Sequence, residues 1–163
     1  MEYLPKVTHA FDDKHTRYYL MPGKVFVATQ PFAVSIITGS GICLCLWDSD
    51  RHIGGANHFI LPEGPEESEN AMRYANVANP ALLQQILDLG ADTKTLTARI
   101  FGGSLPSIGF KNEKECLGAL NVQAVTRFLK THRIRIKQRE VGGTHGRKVI
   151  FHTDDGRTFW EPL

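Results

Sequence analysis

The stretch that decides the fold covers residues 35–62 and reads SIITGSGICLCLWDSDRHIGGANHFILP. Two glycines around a serine predict a tight turn at positions 38–41, because glycine adopts backbone angles that other residues resist. The run Ile42–Trp47 is continuously apolar, which indicates a central strand buried on both faces. A further strand is predicted at Gly54–Leu61, where a proline ends it. Two neighbouring strands therefore follow a glycine-serine turn.

Outward from this stretch, alternating apolar residues predict more strands, at Lys24–Thr29, Val34–Thr38, Leu96–Phe101, Arg133–Glu140, Arg147–His152 and Thr158–Trp160. Asn79 as cap and Pro80 at the first helical position predict a helix that Gly90 ends. An apolar stripe predicts a second helix at 118–131. Strands outnumber helices and several are joined by tight turns. The pattern favours an α+β fold of mixed strands with two helices on one side.

Length and composition fit one compact domain, since 42% of the 163 residues are hydrophobic. No apolar run approaches the roughly 20 residues of a membrane span, and no secretory signal is visible, so we expect a cytoplasmic protein. Residues 1–19 show no clear pattern and are expected to be a loosely ordered extension. The net charge of +2 neither suggests nor excludes nucleic acid, and no nucleic-acid partner is expected. The basic run at 130–139 alternates with isoleucines, which favours a strand with one solvated face.

Metal and disulfide signals are weak. The three cysteines, Cys43, Cys45 and Cys116, make an odd number in a chain without a signal, so no disulfide framework is indicated. A single C-x-C without a second pair is a poor zinc motif, and both thiols are expected to be buried and inert. The histidines at 52, 132, 145 and 152 match no ligand pattern and are interpreted as surface or structural residues. No cofactor or metal is therefore expected.

The turn and the strand after it have the layout of a nucleophile facing a base. A side chain at the tip of such a turn is surrounded by backbone N–H groups, which can stabilise an oxyanion. His58, on the following strand, could move protons at the same point. Position 41, however, is glycine and offers no nucleophile.

At these residues the chain resembles the chemoreceptor glutamine deamidase family, CheD, whose motif has the form LGSCVAVCLYD followed by G-x-NHFMLP. This chain reads TGSGICLCLWD and then GGANHFILP. The resemblance places Gly41 on the catalytic cysteine and His58, 17 residues later, on the catalytic histidine. The orienting hydroxyl of the family falls at Ser35, with Thr38 as the other hydroxyl nearby. Auxiliary positions are Ser40, Cys43 and Asn57.

The resemblance continues in order from about residue 20 to the C-terminus, through LTARIFGG, LGALNVQAVTRFL and VGGTHGRKVIFHTDDG. It implies a single-domain α/β/β sandwich of largely antiparallel strands. It also implies deamidation of chemoreceptor glutamines to glutamate by a Cys-His mechanism, with chemoreceptor cytoplasmic helices and a CheC-type phosphatase as partners. The loop at 102–116 receives no role.

Gly41 leaves three explanations open. The chain is a natural pseudoenzyme, an engineered variant, or a deamidase in which Cys43 has become the nucleophile. Cys43 lies two residues along an extended strand, roughly 6.6 Å from position 41, and a base must come within about 3 Å of its partner. We therefore expect little or no deamidase activity and a retained binding surface. A non-catalytic scaffold or adaptor is the alternative function.

Overall fold

The computed structural model describes residues 7–105 and 116–163. The described strands are β1 (Thr16–Tyr19), β2 (Val25–Ala28), β3 (Phe32–Thr38), β4 (Ile42–Asp48), β5 (Ile53–Phe59), β6 (Leu96–Gly102), β7 (Arg135–Val141), β8 (Arg147–His152) and β9 (Thr158–Pro162). The described helices are α1 (Ala75–Asp88), α2 (Leu117–Thr131) and the short 3-10 helices Val7–Ala10 and Ala71–Arg73. None of these helices has the length and apolarity to cross a membrane.

The strands form two sheets, which we call the outer sheet and the central sheet. The outer sheet has the order β1-β3-β8-β9, and the central sheet has the order β2-β5-β4-β6-β7. Both helices pack on the free face of the central sheet, where Leu44 and Ile100 join Ile86 and Leu129 in one apolar cluster. The expected α/β/β sandwich with two helices on one side is confirmed.

The central position of β4 explains its continuous apolar run. Its even-numbered residues, such as Leu44, face the helices, whereas Cys43 and Cys45 face the outer sheet together with Val34 and Phe151. Every residue of β4 except Trp47 is buried. Among the described strand pairs, only β1–β3 and β6–β7 run parallel. The predictions of a doubly buried strand and of largely antiparallel pairing are both confirmed.

The predicted start of the first helix is wrong. Helix α1 begins at Ala75, and Pro80 lies inside it. Asn79 is a buried residue of the helix, and its side-chain oxygen accepts a hydrogen bond from the amide of Asn57 at 2.8 Å. Burial of the preceding turn against the central sheet, with Ala78 fully enclosed, outweighs the backbone hydrogen bond that proline cannot donate. Gly90, with φ of 107°, follows the end of the helix as expected.

The N-terminal segment is packed where the structure describes it. Val7 and Ala10 of the first 3-10 helix are buried against Ile150 and Phe159 on the free face of the outer sheet. Strand β1 then pairs in parallel with β3. Within the segment expected to be loosely ordered, residues 7–10 thus pack on the outer sheet and residues 16–19 form its edge strand, while residues 1–6 lie outside the described part of the chain.

The basic run near the end of α2 continues into β7, an edge strand of the central sheet. Arg135, Lys137 and Arg139 are exposed there, and the residues between them are half-buried. This is the predicted strand with one solvated face. Charged residues on an edge strand also discourage pairing with another chain.

Asp48 ties the end of β4 to two loops. Its Oδ1 accepts hydrogen bonds from the N–H groups of Asp50 and Arg51 and from the hydroxyl of Thr95, at 2.9 to 3.1 Å. Its Oδ2 accepts one from the N–H of Asp92 at 2.8 Å. Burial raises the pKa of Asp48, but these donors outweigh it and hold the pKa below the ordinary value of 3.8. The carboxylate is therefore a stabilising charge.

We expect Asp48→Asn to lower the free energy of unfolding at pH 7 by about 3 kcal/mol, because the amide turns a donor toward N–H groups that need an acceptor. Urea unfolding measures this loss. The exposed Asp50→Asn is the matched control and should change stability by less than about 0.5 kcal/mol. Because the folded-state pKa is lowered, the stabilisation is present above pH 3.8 and disappears as the pH falls through the folded value. A difference in the free energy of unfolding between wild type and Asp48→Asn that stays constant down to pH 2 would contradict this account.

Candidate functional site

The turn between β3 and β4 carries the chain from the outer sheet to the central sheet, and its carbonyl groups are firmly held. The Gly41 carbonyl accepts hydrogen bonds from the Thr38 hydroxyl at 2.8 Å and from the Gly103 N–H at 2.9 Å. The Gly39 carbonyl accepts one from the N–H of Ser104 at 3.0 Å. Gly39 is exposed, and Gly41 is buried. The turn is therefore a fixed corner with its deeper end at position 41.

Asn121 of α2 locks this corner to the strand that carries the histidine. Its side-chain amide donates to the carbonyl of Ser40 at 2.9 Å and to the carbonyl of Ile60 at 3.0 Å. Asn121 is fully buried, so both bonds are shielded from water. In the sequence, Asn121 is only one residue of the matching segment LGALNVQAVTRFL, because nothing in a helix sequence shows which distant carbonyls an amide will meet.

His58 lies on β5 and points into the layer between the two sheets. In the antiparallel β4–β5 ladder it stands directly opposite Cys43, whose side chain is packed in that layer. Residues opposite each other in a ladder share a face of the sheet. Only 3% of His58 is exposed, and its Nδ1 has no hydrogen-bond partner among the described residues. Burial lowers the pKa of His58 to about 4, so the imidazole is neutral at pH 7.

Position 41 faces this imidazole. A Cβ atom built on Gly41 would lie 3.3 Å from Nε2 of His58, and the backbone angles of Gly41 are outside the left-handed region. The same Cβ would lie 2.7 Å from the carbonyl oxygen of Phe59, closer than real Cβ atoms come to backbone. The structure thus brings together the two positions that the sequence paired. It also shows that the glycine lets the turn approach β5 more closely than a larger residue would.

The two candidate hydroxyls do not hold the imidazole. Ser35 pairs with Ile150 in the β3–β8 ladder, and Ile150 packs with Ala33 on the free face of the outer sheet. Alternation along β3 therefore turns Ser35 away from His58. Thr38 is buried on the inward side, but its hydroxyl donates to the Gly41 carbonyl. Thr38 therefore shapes the turn.

The remaining auxiliary residues separate into two groups. Ser40 is half-buried in the turn, and its carbonyl is held by Asn121. Asn57 neighbours His58 in sequence but points to the opposite face of β5, where it donates to Asn79 of α1. Asn57 thus joins the sheet to the helix and does not reach the turn.

Cys43 is enclosed in the layer between the sheets. It is fully buried, and its Sγ lies 3.6 Å from the Sγ of Cys45. The contact with Cys45 and then burial raise the pKa of the Cys43 thiol well above its ordinary value of 9.0. The thiol is therefore protonated at neutral pH and is shielded from large substrates. Its burial agrees with the sequence expectation.

Comparison with known proteins places the chain in a family. The family profile described as "CheD chemotactic sensory transduction" matches residues 60–161, more than half of the chain. The chain is 41% identical over 145 residues to a probable chemoreceptor glutamine deamidase CheD 1 of Anaeromyxobacter dehalogenans, covering 89% of this chain and 84% of that protein. The chain belongs to the CheD family. It is accordingly a CheD-like chemotaxis protein.

Other CheD relatives cover the turn as well as the region that the profile matches. A probable chemoreceptor glutamine deamidase CheD of Trichlorobacter lovleyi is 33% identical over 86% of each chain. Its namesake in Sulfurimonas denitrificans is 29% identical over 88% of this chain and 92% of that protein. The profile match begins at residue 60, so both Gly41 and His58 lie outside it. The family match at residues 60–161 therefore does not depend on either site residue.

Proposed function

We propose that this chain keeps the site architecture of a chemoreceptor glutamine deamidase but releases little or no ammonia, and acts by binding. One observation carries the proposal. Position 41 faces Nε2 of His58 at 3.3 Å, measured to a Cβ that glycine lacks. The imidazole of His58 could act as the base, but Gly41 has no side chain that could act as the nucleophile.

The chemistry that the family resemblance implies requires a thiol at this point. A thiolate sulfur forms a bond to the side-chain amide carbon of glutamine, the carbon–nitrogen bond breaks, and the nitrogen leaves as ammonia with a proton from the imidazolium. Water then hydrolyses the thioester to glutamate. A hydrogen at position 41 cannot form the first bond. Loss of a nucleophile from a comparable hydrolase costs about 10⁶ in rate.

Cys43 is the alternative nucleophile, since it stands opposite His58 in the ladder. Three features argue against it. The side chain has no exposed surface, its pKa is raised, and it is packed among apolar residues such as Val34 and Phe101. A protein glutamine could reach this sulfur only if the two sheets moved apart. A binding scaffold is therefore the better account of the described residues.

The proposed partners follow from the relatives. Those proteins are named chemoreceptor glutamine deamidases, and we extend the receptor to this chain as a binding partner. The surface around the half-buried Ser40 and the exposed Gly39 would then contact the cytoplasmic helices of a chemoreceptor. A CheC-type phosphatase is proposed as a second partner on the family resemblance alone.

The test incubates the chain with a receptor cytoplasmic fragment and follows ammonia release and the one-dalton amide-to-acid mass shift. We expect binding by calorimetry with no ammonia above the receptor alone. Cys43→Ser is the matched variant and should leave both results unchanged. Turnover by the wild-type chain that Cys43→Ser abolishes would establish the displaced thiol and overturn the proposal. Absence of binding to any receptor fragment contradicts the scaffold role.

A further inference from the structure

At the other end of the β3–β8 ladder from the β3–β4 turn, four side chains lie close together. They come from the N-terminal segment, the end of β8 and the β8–β9 turn. His15, His152, Asp154 and Asp155 each offer one ligand atom, and these atoms all lie within 4.8 Å of one another. Both histidines are buried, and both carboxylates are partly exposed. His15 is separated from the other three by more than 130 residues, so only the folded chain forms this group.

In each histidine one ring nitrogen has a hydrogen-bond partner outside the group, as in metal-binding histidines. Nδ1 of His15 lies 2.8 Å from a carboxylate oxygen of Asp12, and Nε2 of His152 lies 2.7 Å from the carbonyl oxygen of Ala10. A carbonyl oxygen only accepts, so Nε2 of His152 carries the hydrogen and Nδ1 is left with a lone pair. Metal-bound histidines almost always donate their other N–H to a carboxylate or a backbone carbonyl in this way.

Nδ1 of His152 is the second observation that points to a ligand. His152 has no exposed surface, and its Nδ1 lacks a hydrogen-bond partner among the described residues. The atom points toward Oδ1 of Asp155 at 3.8 Å, too far for a hydrogen bond. A buried lone pair that faces a carboxylate is unfavourable unless a cation lies between them.

The carboxylates are arranged to present one oxygen each. Oδ2 of Asp154 is held by Lys14 at 3.0 Å, and Oδ2 of Asp155 is held by Arg157 at 3.1 Å. Oδ1 of Asp155 accepts one hydrogen bond, from the N–H of Arg157 at 2.9 Å, and a carboxylate oxygen keeps a further lone pair for a ligand. Oδ1 of Asp154 lies 2.7 Å from Nε2 of His15. That short contact contains a proton when no metal is bound.

We propose that His15, His152, Asp154 and Asp155 bind one zinc-class divalent cation. Two imidazole nitrogens and two carboxylate oxygens make a four-ligand set that suits tetrahedral Zn²⁺. The cation replaces the proton between His15 and Asp154, and two carboxylates balance its charge. The two rings now stack with 20° between their planes and must tilt apart on binding, since each ligand lone pair lies in its ring plane. A bound metal ion would link His15 of the N-terminal segment to Asp154 and Asp155 of the β8–β9 turn and so stabilise their contact.

The experiment titrates Zn²⁺ into the metal-free full chain in competition with a chromophoric chelator, and follows the thermal midpoint in parallel. We expect one equivalent to bind and to raise the midpoint. Asp155→Asn should weaken binding at least about 10-fold, because it replaces a charged ligand with a neutral one, and Asp12→Asn by about 10-fold through the orientation of His15. Asp155 is partly exposed, so its replacement should leave the fold intact.

His132→Gln is the control, because His132 is an exposed histidine at the far end of α2. It should bind Zn²⁺ as tightly as the wild type. No competitive binding, or binding that Asp155→Asn leaves unchanged, overturns the site. Equal weakening in His132→Gln would show adventitious binding to surface histidines and overturns it as well.

Discussion

Gly41→Cys is expected to raise ammonia release from a receptor fragment by at least about 10³-fold over the chain as it stands. The new Cβ would lie 3.3 Å from Nε2 of His58, which places a thiol within reach of the base. Restoration of the full 10⁶ that a nucleophile contributes is not expected, because the same Cβ presses on the Phe59 carbonyl at 2.7 Å. Burial holds the pKa of His58 near 4, so activity should fall as the pH decreases toward that value.

Gly41→Ala is the matched control for this gain. It adds the same Cβ and the same contact with the Phe59 carbonyl, but it carries no sulfur. We expect Gly41→Ala to stay inactive and to lose a similar amount of stability in urea unfolding. A Gly41→Cys protein that folds, binds receptor and still releases no ammonia would show that the turn and His58 are no longer a catalytic pair.

Gly102→Ala is expected to cost at least about 3 kcal/mol in the free energy of unfolding. Gly102 has φ of 117°, and a Cβ there would collide with the Gly41 carbonyl oxygen and approach the Thr38 hydroxyl at 2.9 Å. The substitution therefore combines backbone strain with displacement of the turn. Denaturant unfolding at pH 7 measures the loss.

Gly142→Ala separates these two causes. Gly142 has φ of 81°, but a Cβ there would have no described atom within 4 Å. It should cost only the strain of a left-handed residue, about 1 kcal/mol. Equal losses in the two variants would mean that close packing of Gly102 against the turn contributes nothing to stability.

The strand pattern was readable because burial imposes a period on the sequence. The apolar run Ile42–Trp47 is buried on both faces, and β8 has the predicted bounds. The start of α1 was not readable, since Asn79 and Pro80 give a local start signal that the packing of Ala75 and Ala78 overrides. A local signal fails where burial of neighbouring residues contributes more free energy.

The sequence by itself determined the α+β class, the positions of most strands and the glycine at position 41, because each depends on local residue types. Only the tertiary structure decided that Ser35 turns away from His58 and that His15 meets His152. The face that a strand turns toward its neighbouring sheet, and the contact between residues more than 130 positions apart, depend on how the layers stack. The stacking of the layers minimises the exposed apolar area of the whole chain. That total area depends on residues throughout the sequence, so no short stretch determines it.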